Sequence, residues 1–120
     1  MTEDKNSKIS LTIDHWHAHL YYPADVSESE KLKPLTELIS KEFGYSVGTR
    51  WAKPVGPHPV GSCQITVPTG ELDRFIPWIL KNRGSCDVFL HPNTGNDLED
   101  HRDHAIWIGN SYPLNLTIFK

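Results

Sequence analysis

The segment LTIDHWHAHLYY, residues 11–22, alternates with a period of two and so fixes the first element of the fold. Successive side chains of an extended chain point to opposite sides. Leu11, Ile13, His15, His17, His19 and Tyr21 therefore share one face, while Trp16, Ala18, Leu20 and Tyr22 share the other. A helix would mix these two sets, so the segment is read as a β-strand. Its second face is the core face. Its first face carries three of the chain's seven histidines, and any fold built on this strand must accommodate them.

The rest of the chain supplies partners for that strand. Pro23 and Asp25 end it. Ser27-x-x-Glu30 has the form of a capping box, and Leu32, Leu35, Leu38, Ile39 and Phe43 follow at helical spacing. Pro34 lacks a donor and clashes one turn back, so it either kinks this helix or is its first residue. Gly44 is the stop signal. Residues 45–53 and 60–67 read as second and third strands. Between them PVGPHP, with prolines at 54, 57 and 59, excludes regular structure. Thr69 opens a second helix, whose Leu72, Phe75, Ile76, Ile79 and Leu80 form an apolar stripe; Pro77 is expected to kink it and Gly84 to end it. In the fourth strand, residues 86–91, Cys86, Val88 and Leu90 face one way and Asp87, Phe89 and His91 the other. Residues 97–103 are read as a short helix, and AIWIG and LNLTIF as added edge strands.

The order β-α-β-β-α-β with a short C-terminal extension is that of an α+β, ferredoxin-like sandwich. Both helices then cover one face of an antiparallel sheet. A chain of 120 residues suits one domain, here residues 11–120 behind a flexible, polar tail at 1–10. With a net charge of −3 and scattered Lys and Arg, nucleic acid is not an expected partner. No apolar run reaches membrane-spanning length, so no membrane is expected either. MTEDKNSKIS lacks the apolar middle of a signal peptide, and the expected location is cytoplasmic. Cys63 and Cys86 fit no zinc-ligand spacing and are read as small buried apolar residues.

In this topology the first strand is central and the fourth lies antiparallel beside it. His15, His17 and His19 then point to the face opposite the helices, with His91 on that same face. His58 sits in the proline-built loop near the end of the first strand. His101 and His104 belong to a segment able to fold back over the sheet. Residues i and i+2 of a strand lie roughly 6.7 Å apart, and two imidazoles can lean across that gap to share one ion. His-x-His alone is weak evidence, since an exposed polar strand face has the same pattern. Three further histidine-bearing segments converging on one surface favour the metal site. His15, at the strand's entry, is read as a solvated bystander. Asp100 and Asp103 are candidates for a carboxylate ligand or for orienting a histidine. Arg50 is the candidate partner of a substrate carboxylate, weighed against ordinary solvation. No nucleophile motif, phosphate-binding loop or dinucleotide fingerprint is present.

PVGPHP at 54–59, PWILKNRG at 77–84, HPNTG at 91–95, DHRDHAIWIG at 100–109 and HAHLYY at 17–22 together resemble the fungal-type DOPA 4,5-dioxygenase family. The resemblance implies an enzyme: an extradiol-type dioxygenase that cleaves DOPA or a related catechol with O2 at a non-haem Fe(II) centre. Zinc or copper would be the alternative occupants of an all-histidine site. The matching histidines are 17, 19, 58, 91, 101 and 104. Of these, His17, His19 and His91 are the expected metal ligands and His58 and His104 the expected catalytic groups. Arg50, His101 and Asn93 are expected at the substrate. The third strand, GSCQITVPTG, is more polar than the family pattern, which puts DOPA itself in question as the substrate. Two other classes stay open: a non-catalytic metal- or small-molecule-binding module, and a cofactor-independent oxygenase. Ile13, Tyr21 and Phe89 on the open sheet face also lead us to expect a homodimer.

Overall fold

The computed structural model describes residues 13–119. The expected tail at 1–10 lies outside the described residues. The strand at the centre is β1, His15–Tyr22. It is followed by helices α1, Val26–Lys31, and α2, Lys33–Phe43, and by the short strand β2, Ser46–Val47. Then come β3, Gly61–Pro68; α3, Leu72–Asn82; β4, Asp87–Pro92; α4, Asp97–Arg102; and β5, Ile106–Ile108. A single 3₁₀ turn, Leu116–Ile118, closes the described chain.

The five strands form one antiparallel sheet in the order β2-β3-β1-β4-β5. Its first four strands carry the ferredoxin-like order expected from the sequence, and β5 extends the edge beyond β4. Ala18, Leu20 and Tyr22 of β1 pack with Cys63, Ile65 and Val67 of β3 and Val88 and Leu90 of β4. Ile39 of α2 and Phe75 and Ile79 of α3 close this core from above. The period-two and helical stripes of the sequence therefore meet in one dry layer, as apolar burial requires. Both cysteines are buried and free, as read.

Local chemistry moved several boundaries. Asp25, not the Ser27–Glu30 pair, caps α1: its carboxylate accepts from the Glu28 amide at 3.0 Å. The chain resolves Pro34 by breaking into two helices, with the proline in the first turn of α2, where its missing donor costs nothing. Gly44, at φ 73°, ends α2 in the left-handed conformation. Thr69 does not start α3, whose N-cap is Glu71; its hydroxyl donates instead to the carbonyls of Ile13 and Asp14. α3 runs through Pro77 over its 11 residues. The second strand is far shorter than residues 45–53: only Ser46 and Val47 pair with β3, and Trp51 makes a lone bridge to Ser62. Beyond Val47 the chain leaves the sheet to enter the proline loop, whose prolines cannot donate to a ladder. LNLTIF is not a strand. Asn115 caps the 3₁₀ turn there, its side-chain oxygen accepting from the Thr117 amide at 3.2 Å.

The C-terminal extension also changes what covers the second face of the sheet. Buried Asp87 accepts from the Asn110 amide at 2.9 Å and from the Tyr112 hydroxyl, and Arg83 lies 3.7 Å away. Gly109 turns beside it at φ 92°, and a Cβ there would sit 2.3 Å from the Asp87 carboxylate. This clasp lays the extension across the face. The Asn115 amide then donates to the Pro57 carbonyl at 2.9 Å and ties it to the proline loop. Tyr21 and Phe89 are consequently buried within one chain, beside Trp107 and Tyr112. Of the three apolar residues that argued for a homodimer, Tyr21 and Phe89 are thus covered by the chain itself, and Ile13 stays half-exposed. No helix among the described residues is long and apolar enough to cross a membrane.

Candidate active site

Register decides which histidines meet. His17 stands directly opposite His91 across the β1–β4 ladder, and His19 opposite Phe89. Paired residues of an antiparallel ladder have Cβ atoms about 4.5–5.5 Å apart, so the His17 and His91 rings face each other. Their centroids lie 5.2 Å apart, those of His17 and His19 5.8 Å, and those of His19 and His91 5.1 Å. One ring nitrogen from each of His17, His19 and His91 lies within 4.8 Å of the other two. The His58 ring lies tilted against His19 with centroids 4.3 Å apart, and that of His101 of α4 lies tilted against His91 at 4.1 Å. Five histidines thus share one face, delivered by four constraints: strand period for His17 and His19, cross-strand register for His91, the proline loop for His58 and a helix folding back for His101.

The hydrogen bonds sort the rings. His91 Nδ1 donates to the Pro92 carbonyl at 2.8 Å, which leaves Nε2 with its lone pair. That Nε2 lies 3.0 Å from Nε2 of His19, a separation suited to two donors on one cation with bonds of about 2.0–2.1 Å. Among the described residues, His17 Nε2 has the Gln64 side-chain amide as its one hydrogen-bond contact, at 3.4 Å. His101 Nδ1 donates to the Asp97 carbonyl at 2.7 Å.

Burial keeps His17, His19, His58 and His91 neutral. Burial, with His15 and His101 adding repulsion, pushes His17 down to about 4. Burial pushes His91 to about 4 against the pull of the Pro92 carbonyl, and His58 to about 4 with His101 helping. Burial and four neighbouring imidazoles hold His19 well below the usual range. Neutral imidazole is the form that ligates a metal. The donor set therefore fits a divalent cation taking nitrogen ligands.

No carboxylate joins it among the described residues. Asp100 is buried near His91, but its two oxygens accept from the Thr94 amide at 2.8 Å and hydroxyl at 2.6 Å. It braces the turn after β4. Asp103 is exposed and paired with Arg102.

A cleft of about 300 Å³ opens beside the cluster, lined by His19, His58, Trp51, Thr49, Ser62 and Gln64 among others. Not every candidate reaches this region. His104 is exposed and lines a separate depression with Trp16 and Ile106. Arg50 lies 3.7 Å from Glu30 and does not line the cleft. Its charge is felt by Tyr22 and Cys63, which belong to the helix-facing core. Asn93 closes the end of the β1–β4 ladder, its amide donating to the His15 carbonyl at 3.0 Å. His15 pairs with Asp14 at 2.8 Å and stands outside the three-nitrogen group.

Two site residues escaped the sequence reading. Alternation marks Tyr21 only as apolar surface, yet its hydroxyl contacts His58 Nδ1 at 2.5 Å. Gln64 lines the cleft beside His17. The alternation did carry a signal for Tyr21, since it places that residue on the face of His17 and His19.

Comparison with known proteins agrees with this arrangement. The chain is 36% identical over 129 residues to an uncharacterised 21.2 kDa protein of Botryotinia fuckeliana, covering 99% of this chain and 69% of that one. It is 32% identical over 120 residues to the DOPA 4,5-dioxygenase of Amanita muscaria, covering 94% of this chain and 53% of that one. This chain thus spans about half the length of the Amanita enzyme. A crystal structure of a candidate dioxygenase from Nostoc punctiforme superimposes with a TM-score of 0.71 at 30% identity, covering 87% of this chain and 89% of the other. The family model of the Dopa 4,5-dioxygenases matches residues 16–118, from the second residue of β1 to the end of the 3₁₀ turn. A match of that extent, over a fold with the histidines so grouped, places this chain in the Dopa 4,5-dioxygenase family.

Proposed function

We propose that this chain is an extradiol-type dioxygenase that opens the ring of a catechol with O2 at a non-haem metal held by His17, His19 and His91. The single observation that carries this reading is the three-nitrogen group within 4.8 Å, set beside a cleft that His58 also lines. Ferrous iron is the proposed ion, with zinc or copper as alternative occupants of an all-nitrogen site. When bound, the ion would supply a Lewis-acidic, redox-active centre with positions left open for substrate and O2.

The chain's own residues do the rest. Trp51 offers a flat wall for an aromatic ring, and Thr49, Ser62 and Gln64 offer hydrogen-bonding groups to its hydroxyls. His58, pushed down to about 4, is neutral at ordinary pH and is the proposed acid/base group. His101, over His91, closes the cluster from the α4 side and is the proposed further substrate contact. The buried rings of Tyr21 and Phe89, with half-buried Trp107 stacked on Phe89, shield one flank from water.

Anaerobic reconstitution with Fe(II), followed by L-DOPA or simpler catechols and then O2, tests this reading. A yellow ring-fission product with matching oxygen uptake is expected. No uptake with any catechol would sink the proposal, and activity that survives complete metal removal would favour a cofactor-independent oxygenase.

A further inference from the structure

The hydrogen-bond partners of Nδ1 divide the histidines of this face into two kinds. His91 and His101 each donate from Nδ1 to a backbone carbonyl, of Pro92 and Asp97 respectively. A carbonyl can only accept, so both rings keep the proton on Nδ1 and present a bare Nε2. At His58 the partner of Nδ1 is the hydroxyl of Tyr21, at 2.5 Å. A hydroxyl can donate or accept, so the surroundings must decide.

They decide for donation. Tyr21 is 1% exposed. Its ring is held by Phe89, Trp107 and Tyr112, with centroids 6.2, 5.7 and 5.1 Å away. The Tyr112 hydroxyl donates to Asp87, and among the described residues no hydrogen bond joins it to Tyr21. Among the described residues, His58 Nδ1 is the single hydrogen-bond partner of the Tyr21 hydroxyl. If Nδ1 carried the proton, the buried Tyr21 hydrogen would have no acceptor, a loss of about 1–3 kcal/mol. With the hydrogen directed at Nδ1, both groups are satisfied.

The neutral ring then carries its proton on Nε2, the nitrogen left for the cleft that His58 lines. The backbone cannot easily re-aim it. The His58 amide donates to the Val55 carbonyl at 3.0 Å, and the neighbouring Pro57 carbonyl accepts from Asn115 at 2.9 Å.

We propose that Tyr21 is a positioning residue that fixes His58 as an Nε2–H donor toward the cleft, the opposite tautomer from His91 and His101. His58 then serves in its resting form as a hydrogen-bond donor to an oxygen of the bound substrate, and it presents a base there only after exchange to the Nδ1–H tautomer. The identity of the acceptor rests on the function proposed above; the tautomer does not.

Long-range ¹H–¹⁵N correlation on the full chain labelled at histidine, loaded with Zn(II) to avoid paramagnetism, reads each ring directly. His58→Gln assigns the His58 signals. The expected wild-type pattern is a protonated Nε2 and a bare Nδ1. Tyr21→Phe, which removes only the hydroxyl, should convert this to a mixture of tautomers. In the Fe(II) enzyme the same variant should lower kcat by roughly 10-fold or more, with KM for a simple catechol within about twofold. His58→Gln, which keeps a donor, should retain more turnover than His58→Ala. A wild-type ring protonated at Nδ1, or a tautomer unchanged in Tyr21→Phe, overturns the proposal. If no catechol is turned over, the spectra still decide the tautomer, and that failure falls on the proposed function alone.

Discussion

On one side of β1, Ala18, Leu20 and Tyr22 pack under two helices in a buried cluster of apolar, cysteine and tyrosine side chains. On the other, His17, His19 and Tyr21 meet His91, His58 and His101. Both sides are buried at their centre, yet for different reasons. The helix side is dry because apolar surface gains by leaving water. The histidine side is buried because the proline loop, α4 and the C-terminal extension were brought over it, at the expense of desolvating imidazoles. A strand that burial alone explains on one face therefore requires a ligand or a reaction to explain the other.

The largest test of that contrast replaces one residue from each face of the same strand. His91→Ala should abolish tight metal binding and turnover, by more than the roughly 10–100-fold cost of losing an outer-shell partner, while far-UV circular dichroism stays native. Metal analysis after dialysis checks it, and unchanged metal content would remove the ligand assignment. Leu90→Ala, one residue away, should do the reverse. It should lower stability by about 2–5 kcal/mol, read from the urea midpoint, with metal content per folded chain preserved.

Proton linkage gives a third, graded test. His17 and His91 have folded values of about 4 against an ordinary 6.5. Between those values the unfolded chain binds protons that the folded chain refuses. The stability of the metal-free protein should thus be complete above about pH 6.5 and fall as pH drops toward about 4. Urea midpoints across that range read the slope. Leu90→Ala should shift the whole curve without changing the slope, and His91→Ala should flatten it; a midpoint independent of pH in the wild type would contradict the buried-neutral reading.

The smallest effects should come from histidines the structure leaves out. His15→Ala and His104→Ala remove half-buried and exposed rings that are not members of the three-nitrogen group. Metal content should be unchanged within error in both, and loss of metal in either would redraw the site.

The legible part of this site was the part written in local periodicity. Alternation put His17 and His19 on one face and His91 on the matching face of the fourth strand. The prolines around His58 announced a rigid loop. Less legible were features that depend on segments distant in sequence. The Asp87 clasp with Asn110 and Tyr112 spans more than twenty residues, and nothing local marks Asp87 as its anchor. Without it, Tyr21 and Phe89 looked like a surface awaiting a second copy. Arg50 looked free for a substrate because its nearest charge, Glu30, lies in a helix twenty residues earlier. His104 and His101 sit three residues apart, and only the end of α4 separates the half-buried ring over His91 from the exposed one.

The sequence by itself determined the strand and helix order, the dry face of the sheet and the residue types able to hold a metal. These follow from side-chain period and backbone chemistry, which act over a few residues. Tertiary structure alone decided that His17 stands across from His91, that the extension seals the histidine face, and which hydrogen-bond partner each imidazole has. Those depend on cross-strand register and on loops folding back over the sheet, which no local pattern encodes.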